Sequence, residues 1–242
     1  MFRHRGKTRT LQHNLQIASL LSFVAGIVNV VGFLAVQRLT TNVTGHFAFV
    51  MRAILNLQFL EGFIYFLYLF FFFAGSFVSS FIIEIIASRS ERFIYTIPAS
   101  IECLLLLVMG IWGSYFVRVS PDVIAFCLLF AMGLQNALVT KISNASVRTT
   151  HLTGLFTDLG IEISQLFFYT ASAQKHKLLS SIRLRFRIVC FFFIGGIAGG
   201  ILFTGMRLYS LCVAALVLVG GLIYDSIKFR VILLRRRLLQ KQ

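Results

Sequence analysis

Six apolar runs dominate the chain, at roughly residues 15–36, 62–87, 95–116, 121–139, 188–206 and 208–227. A helix needs about 20 apolar residues to cross the hydrocarbon of a bilayer. It is also one of only two structures that satisfy every backbone polar group there. Composition agrees: of 242 residues, 58% are hydrophobic and only 13% charged, and the mean hydropathy is +0.87. A soluble domain carries about 25% charged residues. So few polar groups cannot cover a water-facing surface, and 27 Phe against 2 Pro exclude a disordered chain. The expected fold class is all-α, a polytopic membrane helix bundle of about six spans. A weaker apolar stretch at 152–171 carries Asp158, Glu162 and Gln165. It is expected as an interior or partly inserted helix, where polar groups find partners.

The net charge of +15 sits at the ends of the apolar runs rather than on a soluble face. With the N-terminus inside, the inner segments hold 19 of the 23 Lys and Arg and the outer segments hold Arg38, Arg52, Arg118 and Arg207. That asymmetry places both termini in the cytoplasm. Anionic headgroups account for the basic ends, and nothing resembles a nucleic-acid-binding module. The basic arm at 1–14 looks like the start of a signal peptide. The apolar stretch behind it is too long, however, and no small-residue cleavage pattern follows, so it reads as the lead-in to a retained span.

Comparison of the chain with itself reveals a repeat. Residues 17–29 (IASLLSFVAGIVN) match 124–136 (IAFCLLFAMGLQN) at 6 of 13 positions with an offset of 107. Residues 40–47 (TTNVTGHF) match 149–156 (TTHLTGLF) at 5 of 8 with an offset of 109. Residues 71–80 (FFFAGSFVSS) match 191–200 (FFFIGGIAGG) with an offset of 120. Apolar low complexity alone would not set Asn29 on Asn136 and the two Thr-Thr-x-x-Thr-Gly segments in one order. The expected organisation is a cytoplasmic arm (1–14), a first three-span repeat (15–117), a second three-span repeat (118–227) and a basic cytoplasmic tail (228–242). Three is odd, so the second repeat enters the membrane upside down relative to the first. Inverted repeats of this kind typify secondary transporters, an analogy of architecture.

The segments Phe23-Val24-Ala25-Gly26 through Gly32-Phe33-Leu34, Val43-Thr44-Gly45, residues 131–137 (AMGLQNA) and 149–154 (TTHLTG) resemble the YoaK-like family of bacterial membrane proteins. The likeness covers nearly the whole chain, and the second-half motif is the more specific. It implies a six-span protein of a bacterial cytoplasmic (inner) membrane with a loosely permease-like character, and it supplies no substrate. The chain departs from the family pattern at Asn29, where Asp is common, and at His46, where Asn usually follows the Thr-Gly.

Candidate functional residues cluster on the repeat. Thr caps helices well, and Thr-Gly disfavours a continuous helix, so short or broken helices are expected to begin at Thr44-Gly45 and Thr153-Gly154. Free N–H groups and a positive dipole end there suit an anionic group. Asn29 and Asn136, late in equivalent spans, together with Thr41 and Thr150, complete the expected substrate-binding or gating set; interhelical hydrogen bonding is the simpler role for the amides. Asp158 and Glu162 lie four apart on one helical face and, with the isolated Glu102, are candidates for ion coupling. Against that, the pair at 158 and 162 has Arg183, Arg185 or Arg187 as potential salt-bridge partners at a cytoplasmic surface. Arg38 and Arg148 precede the Thr-Thr pairs as anion attractors or interfacial anchors, and Glu84 and Asp225 have Arg89 and Lys228 within reach.

The small-residue patches 75–80 and 195–200 suit close helix packing, and they would form a sliding surface were they to meet. Cys103, Cys127, Cys190 and Cys212 lack metal-ligand spacing, and no HExxH, GxSxG or P-loop motif occurs. No metal, cofactor or catalytic residue is therefore expected. The leading expectation is a non-enzymatic secondary transporter or permease for a small anionic or zwitterionic solute. A non-catalytic scaffold or assembly partner is the alternative, and an intramembrane lipid-modifying enzyme ranks third. The expected partners are the lipid bilayer and a small-molecule solute, with no nucleic acid; self-association into a homo-oligomer is compatible with this reading.

Overall fold

The computed structural model describes residues 10–87, 94–143 and 147–239, and these are helical, with no strand among them. In chain order the helices are α1 (Leu11–Val36), α2 (Val43–Leu55), α3 (Phe59–Ala87), α4 (Thr96–Val119), α5 (Pro121–Ser143), α6 (Leu152–Gln165), α7 (Ser172–Met206) and α8 (Ser210–Leu239). Their limits have local causes. Gln37 ends α1 in the left-handed region (φ 54°), its N–H donating to the Phe33 carbonyl at 2.8 Å. Pro121 opens α5 at the first helical position, where its missing N–H costs nothing.

Five helical stretches are long and apolar enough to cross a membrane: α1, α3, α4, α5 and the 54-residue stretch Ser172–Asp225. The run expected at 188–206 and all but the last two residues of that expected at 208–227 lie in that last stretch, broken by the 3-10 turn Arg207–Tyr209, where Arg207 has φ 52°. The arm at 1–9 and the residues beyond 239 lie outside the described part of the chain.

Cross-helix contacts set the directions. Gly195 lies against Phe23 and Gly199 against Ile27, so α1 and α7 run parallel. Tyr68 meets Asp122, Gly75 meets Phe130 and Glu84 meets Lys141, so α3 and α5 also run parallel. Gln135 reaches the Leu21 carbonyl while Leu128 reaches Gly32, which makes α1 and α5 antiparallel. Cys103 approaches Ala215, and Gly113 approaches Leu208, so α4 and α8 are antiparallel too.

One exchange rule describes the packing: swap α1 with α5, α2 with α6, α3 with α7 and α4 with α8. Under it the α1–α7 contact becomes α5–α3, α1–α8 becomes α5–α4, and α2–α3 becomes α6–α7, all of which occur. The rule holds at the residue level. A Cβ on Gly26 would land on the Phe192 carbonyl oxygen, as one on Gly133 would land on that of Phe72. Likewise Gly195 meets the Phe23 carbonyl as Gly75 meets that of Phe130. These glycines let two backbones touch where any side chain would hold them apart. The two small-residue patches accordingly do not meet each other; each packs on the first helix of the opposite half. The halves are thus interleaved, with a core of fully buried side chains such as Leu21, Ile27, Leu128 and Leu138.

Candidate functional site

The two Thr-Gly segments begin short helices, α2 and α6. Ahead of α2, Thr41 Oγ1 donates to Asn29 Oδ1 at 2.6 Å and Thr40 Oγ1 donates to the Val28 carbonyl at 3.3 Å. Ahead of α6, Asn136 Nδ2 donates to Thr150 Oγ1, and Thr149 Oγ1 donates to Asn136 Oδ1 at 3.2 Å. Gln135, one residue earlier, donates to Thr149 Oγ1 at 2.9 Å and to the Leu21 carbonyl at 3.0 Å. Asn29 stands seven residues before the end of α1, and Asn136 seven before the end of α5. At 1.5 Å per residue, each connecting loop therefore folds back about 10 Å along its helix before the short helix starts. Because α1 and α5 are antiparallel, the two loops fold in from opposite ends of the bundle.

The capping differs from expectation. Asn42, not Thr44, caps α2, its Oδ1 accepting from the Gly45 N–H at 2.9 Å. A helix wants its cap one residue before the first helical position, and α2 begins at Val43, so Thr44 is already inside. His151 occupies the equivalent place before α6, makes no capping bond, and lies against Gly154. Thr44 and Thr153 are exposed in the first turns.

The α6–α7 junction is ionic. Arg185 donates through Nε and Nη2 to Asp158 Oδ2 (3.2 and 3.0 Å) and through Nη1 to Glu162 Oε1 (2.6 Å), which also accepts from Ser181 Oγ at 2.7 Å. The acid pair is therefore shared by one guanidinium, as the surface-paired alternative expects. Glu102 is different. It is fully buried on α4, and neither carboxylate oxygen has a hydrogen-bond partner among the described residues.

Around the α2–α3 junction lies a cluster of which the sequence singled out Arg38 and His46 but not Tyr68 or Asp122. Tyr68, fully buried on α3, donates to Asp122 Oδ1, and Arg38 Nε donates to Tyr68 Oη at 3.3 Å and lies 3.6 Å from Asp122. Arg38 is thus an anchor with partners. His46 donates from Nε2 to the Leu39 carbonyl and packs its ring 4.6 Å from that of Tyr68, while its Nδ1 is buried without a partner. Burial holds its pKa below the usual histidine value; the Leu39 carbonyl opposes this and the Arg38 charge adds to it. Glu84 pairs with Lys141 at 2.8 Å; Arg89 lies outside the described residues.

The expected site residues thus come together as pairs, not as one pocket. Leu21 sits opposite Gln135, and Gly32 opposite Leu128. That register leaves the Asn29 and Asn136 pairs about 10 Å apart along the bundle axis. Two open grooves, one along α1, α7 and α8 and one between α4 and α8, are lined by none of these residues apart from the neighbours of Glu102.

Long apolar helices, interleaved halves and polar groups spent on interhelical bonds define a multi-pass helical membrane protein. The chain belongs to the family described as "Protein of unknown function (DUF1275)", whose model matches residues 17–224. It is 25% identical over 195 residues to the UPF0700 transmembrane protein YoaK of Bacillus subtilis (strain 168), covering 75% of this chain and 80% of that protein. The resemblance read from the Thr-Gly and AMGLQNA segments is therefore a family relationship. No solved structure matches the chain.

Proposed function

We propose that this protein is a secondary transporter for a small anionic or zwitterionic solute, working by alternating access between two inverted repeats. The observation that carries the reading is the exchange rule with antiparallel equivalents. An axis that reverses every helix lies in the membrane plane, and a carrier with such halves has two states of related energy. On this reading the chain's turn at Arg207–Tyr209 divides the 54-residue stretch into two crossings, which supports six spans, and the proposal includes a cytoplasmic membrane with both termini inside. Loops folding in from opposite ends bring the starts of α2 and α6 toward the interior, where helix N-termini favour negative charge. Asn29, Thr41, Asn136 and Thr150 would gate by exchanging loop bonds for solute bonds. Asp158, Glu162 and Glu102 would couple the cycle to an ion.

The test is flux into proteoliposomes over a panel of organic anions and amino acids, with and without a proton or sodium gradient. Uptake that is gradient-driven in the wild type and loses its gradient dependence in Glu102→Gln supports the reading. Absence of flux across the panel refutes it. A scaffold is the second reading, and one observation favours it: the α1–α5 contact is filled by fully buried Leu21, Ile27 and Leu128, and neither of the two grooves described above is lined by the motifs. A scaffold predicts silent liposomes and a stable partner that co-purifies with the protein.

A further inference from the structure

The exchange rule sets α1, α7 and α8 against α5, α3 and α4, and at one level the two triplets differ. Phe126 on α5 stacks on Phe71 of α3, with centroids 4.8 Å apart and planes 20° apart, and fills the space between those helices. Phe71 answers to Phe191 at offset 120, and Phe126 answers to Ser19 at offset 107. With serine in that place the plug is missing. A groove of about 530 Å³ runs there instead, between α1, α7 and α8. Two more exchanges fall on its wall: Leu67 answers to Arg187, and Val123 answers to Gln16. Three apolar residues of one half have become polar in the other, all around the same space.

The chemistry of the groove is that of an amphiphile site. Arg187 is its one cation, has no ion pair or hydrogen bond among the described residues, and no carboxylate lines the groove. Gln16 Oε1 is buried and receives no hydrogen bond. The Ser19 hydroxyl is spent on the Leu15 carbonyl, and apart from the Tyr224 phenol the remaining wall is apolar, with Phe23, Phe191 and Gly220 contributing; a Cβ on Gly220 would meet nothing within 4 Å. Arg187 lies 19 residues before the end of α7. That is about 29 Å of helix, close to the roughly 30 Å thickness of the hydrocarbon core, so a span that ends at Met206 would put the guanidinium at headgroup level.

We propose that this groove binds one anionic phospholipid, its phosphate on Arg187, a headgroup hydroxyl donating to Gln16 Oε1, and an acyl chain along Phe23, Phe191 and Gly220. Phosphatidylglycerol supplies both the anion and the hydroxyl. Bidentate pairing of a guanidinium with phosphate gives geometric as well as electrostatic selectivity. The site does not depend on whether the protein carries a solute.

Native mass spectrometry of the delipidated full chain, titrated with phosphatidylglycerol or phosphatidylcholine, tests the proposal. The wild type is expected to retain a first phosphatidylglycerol about tenfold more tightly than phosphatidylcholine, the worth of one charge-assisted pair. Arg187→Leu and Ser19→Phe each install the residue the other half already carries, and both should abolish that preference. Gly220→Leu fills the groove from its opposite wall and stands in should Ser19→Phe fail to fold. Arg183→Leu removes the same charge from an exposed position one turn earlier and should leave the preference intact. Equal retention of the two lipids overturns the proposal. So does a preference that survives the filling variants or falls equally in Arg183→Leu, or displacement of the lipid by soluble glycerol phosphate.

Discussion

The glycine crossings permit the sharpest test of the packing. In Gly75→Ala the new Cβ would collide with the Phe130 carbonyl oxygen and lie 2.8 Å from the Phe130 carbonyl carbon and 3.0 Å from its Cα. Ordinary contacts begin near 3.4 Å and the carbonyl oxygen is the tightest of the three, so α3 and α5 must separate by about 1 Å along their crossing. A gap of 0.5–1 Å forfeits a quarter to a half of the dispersion well for each atom pair there. Overpacking of this sort costs about 1–3 kcal/mol, against which alanine's helix preference over glycine returns up to about 1 kcal/mol. We therefore expect Gly75→Ala to destabilise by about 1–2 kcal/mol net. Because Gly195 meets the Phe23 carbonyl in the same way, Gly195→Ala should cost the same to within about 0.5 kcal/mol. Gly205→Ala, where a Cβ meets nothing within 4 Å, should be neutral or stabilising. Reversible unfolding in mixed micelles, followed by circular dichroism, reads all three. Wild-type stability in Gly75→Ala, or a large difference between Gly75→Ala and Gly195→Ala, refutes the close-contact reasoning and the equivalence of the two crossings.

Two further expectations follow. His46 is held neutral by burial, so its folded-state pKa lies below its unfolded value near 6.5. The unfolded chain then binds the extra proton first. Stability is complete above about pH 6.5 and is lost as pH falls through the lower folded-state value. Thermal melts in detergent from pH 8 to 5 should show the loss, and His46→Leu, the residue present at 155, should flatten the curve. Arg185→Met strands Asp158 and Glu162 together at the α6–α7 junction and should cost about 1–3 kcal/mol, with trypsin cleavage near residues 175–177 accelerating; unchanged proteolysis would show that the junction holds without its ion pairs.

How much was legible depended on the range of the signal. The apolar parts of the long helices follow from run length alone, and the starts of the short helices follow from the Thr-Gly segments; the polar first sixteen residues of α7 and the basic end of α8, expected as connection and tail, are helical with no apolar run to announce them. Choosing Arg185 among three candidate arginines needed the helix rotation: Arg183 and Arg187 lie two positions away and face elsewhere. The Arg38–Tyr68–Asp122 cluster joins residues 30 and 54 apart on three elements, which no periodicity reports. Gln135 did carry a signal, a polar residue aligned with Val28, and it is the side chain that ties α5 to α1. The repeat revealed which positions are equivalent. It could not reveal that each half packs its first helix on the other half's third, because pairing between helices is a property of surfaces and not of alignment.

The exchange of contacts between the two halves makes the differences in their side chains informative. Phe49 and Tyr65 pair their rings 5.2 Å apart at the α2–α3 junction. At the same offsets, 109 and 120, the α6–α7 junction holds Asp158 and Arg185 in an ion pair. One short helix is thus held to its long neighbour by aromatic contact, which salt scarcely affects. Its equivalent is held by charges that salt screens, since Asp158 is half exposed. Two halves that share a fold but differ in what fastens the short helix need not release it together. Raising ionic strength is therefore expected to loosen α6 before α2, read as faster trypsin cleavage at Lys175 and Lys177; unchanged cleavage in high salt would show that buried Leu155 and Leu159, not the charges, hold α6.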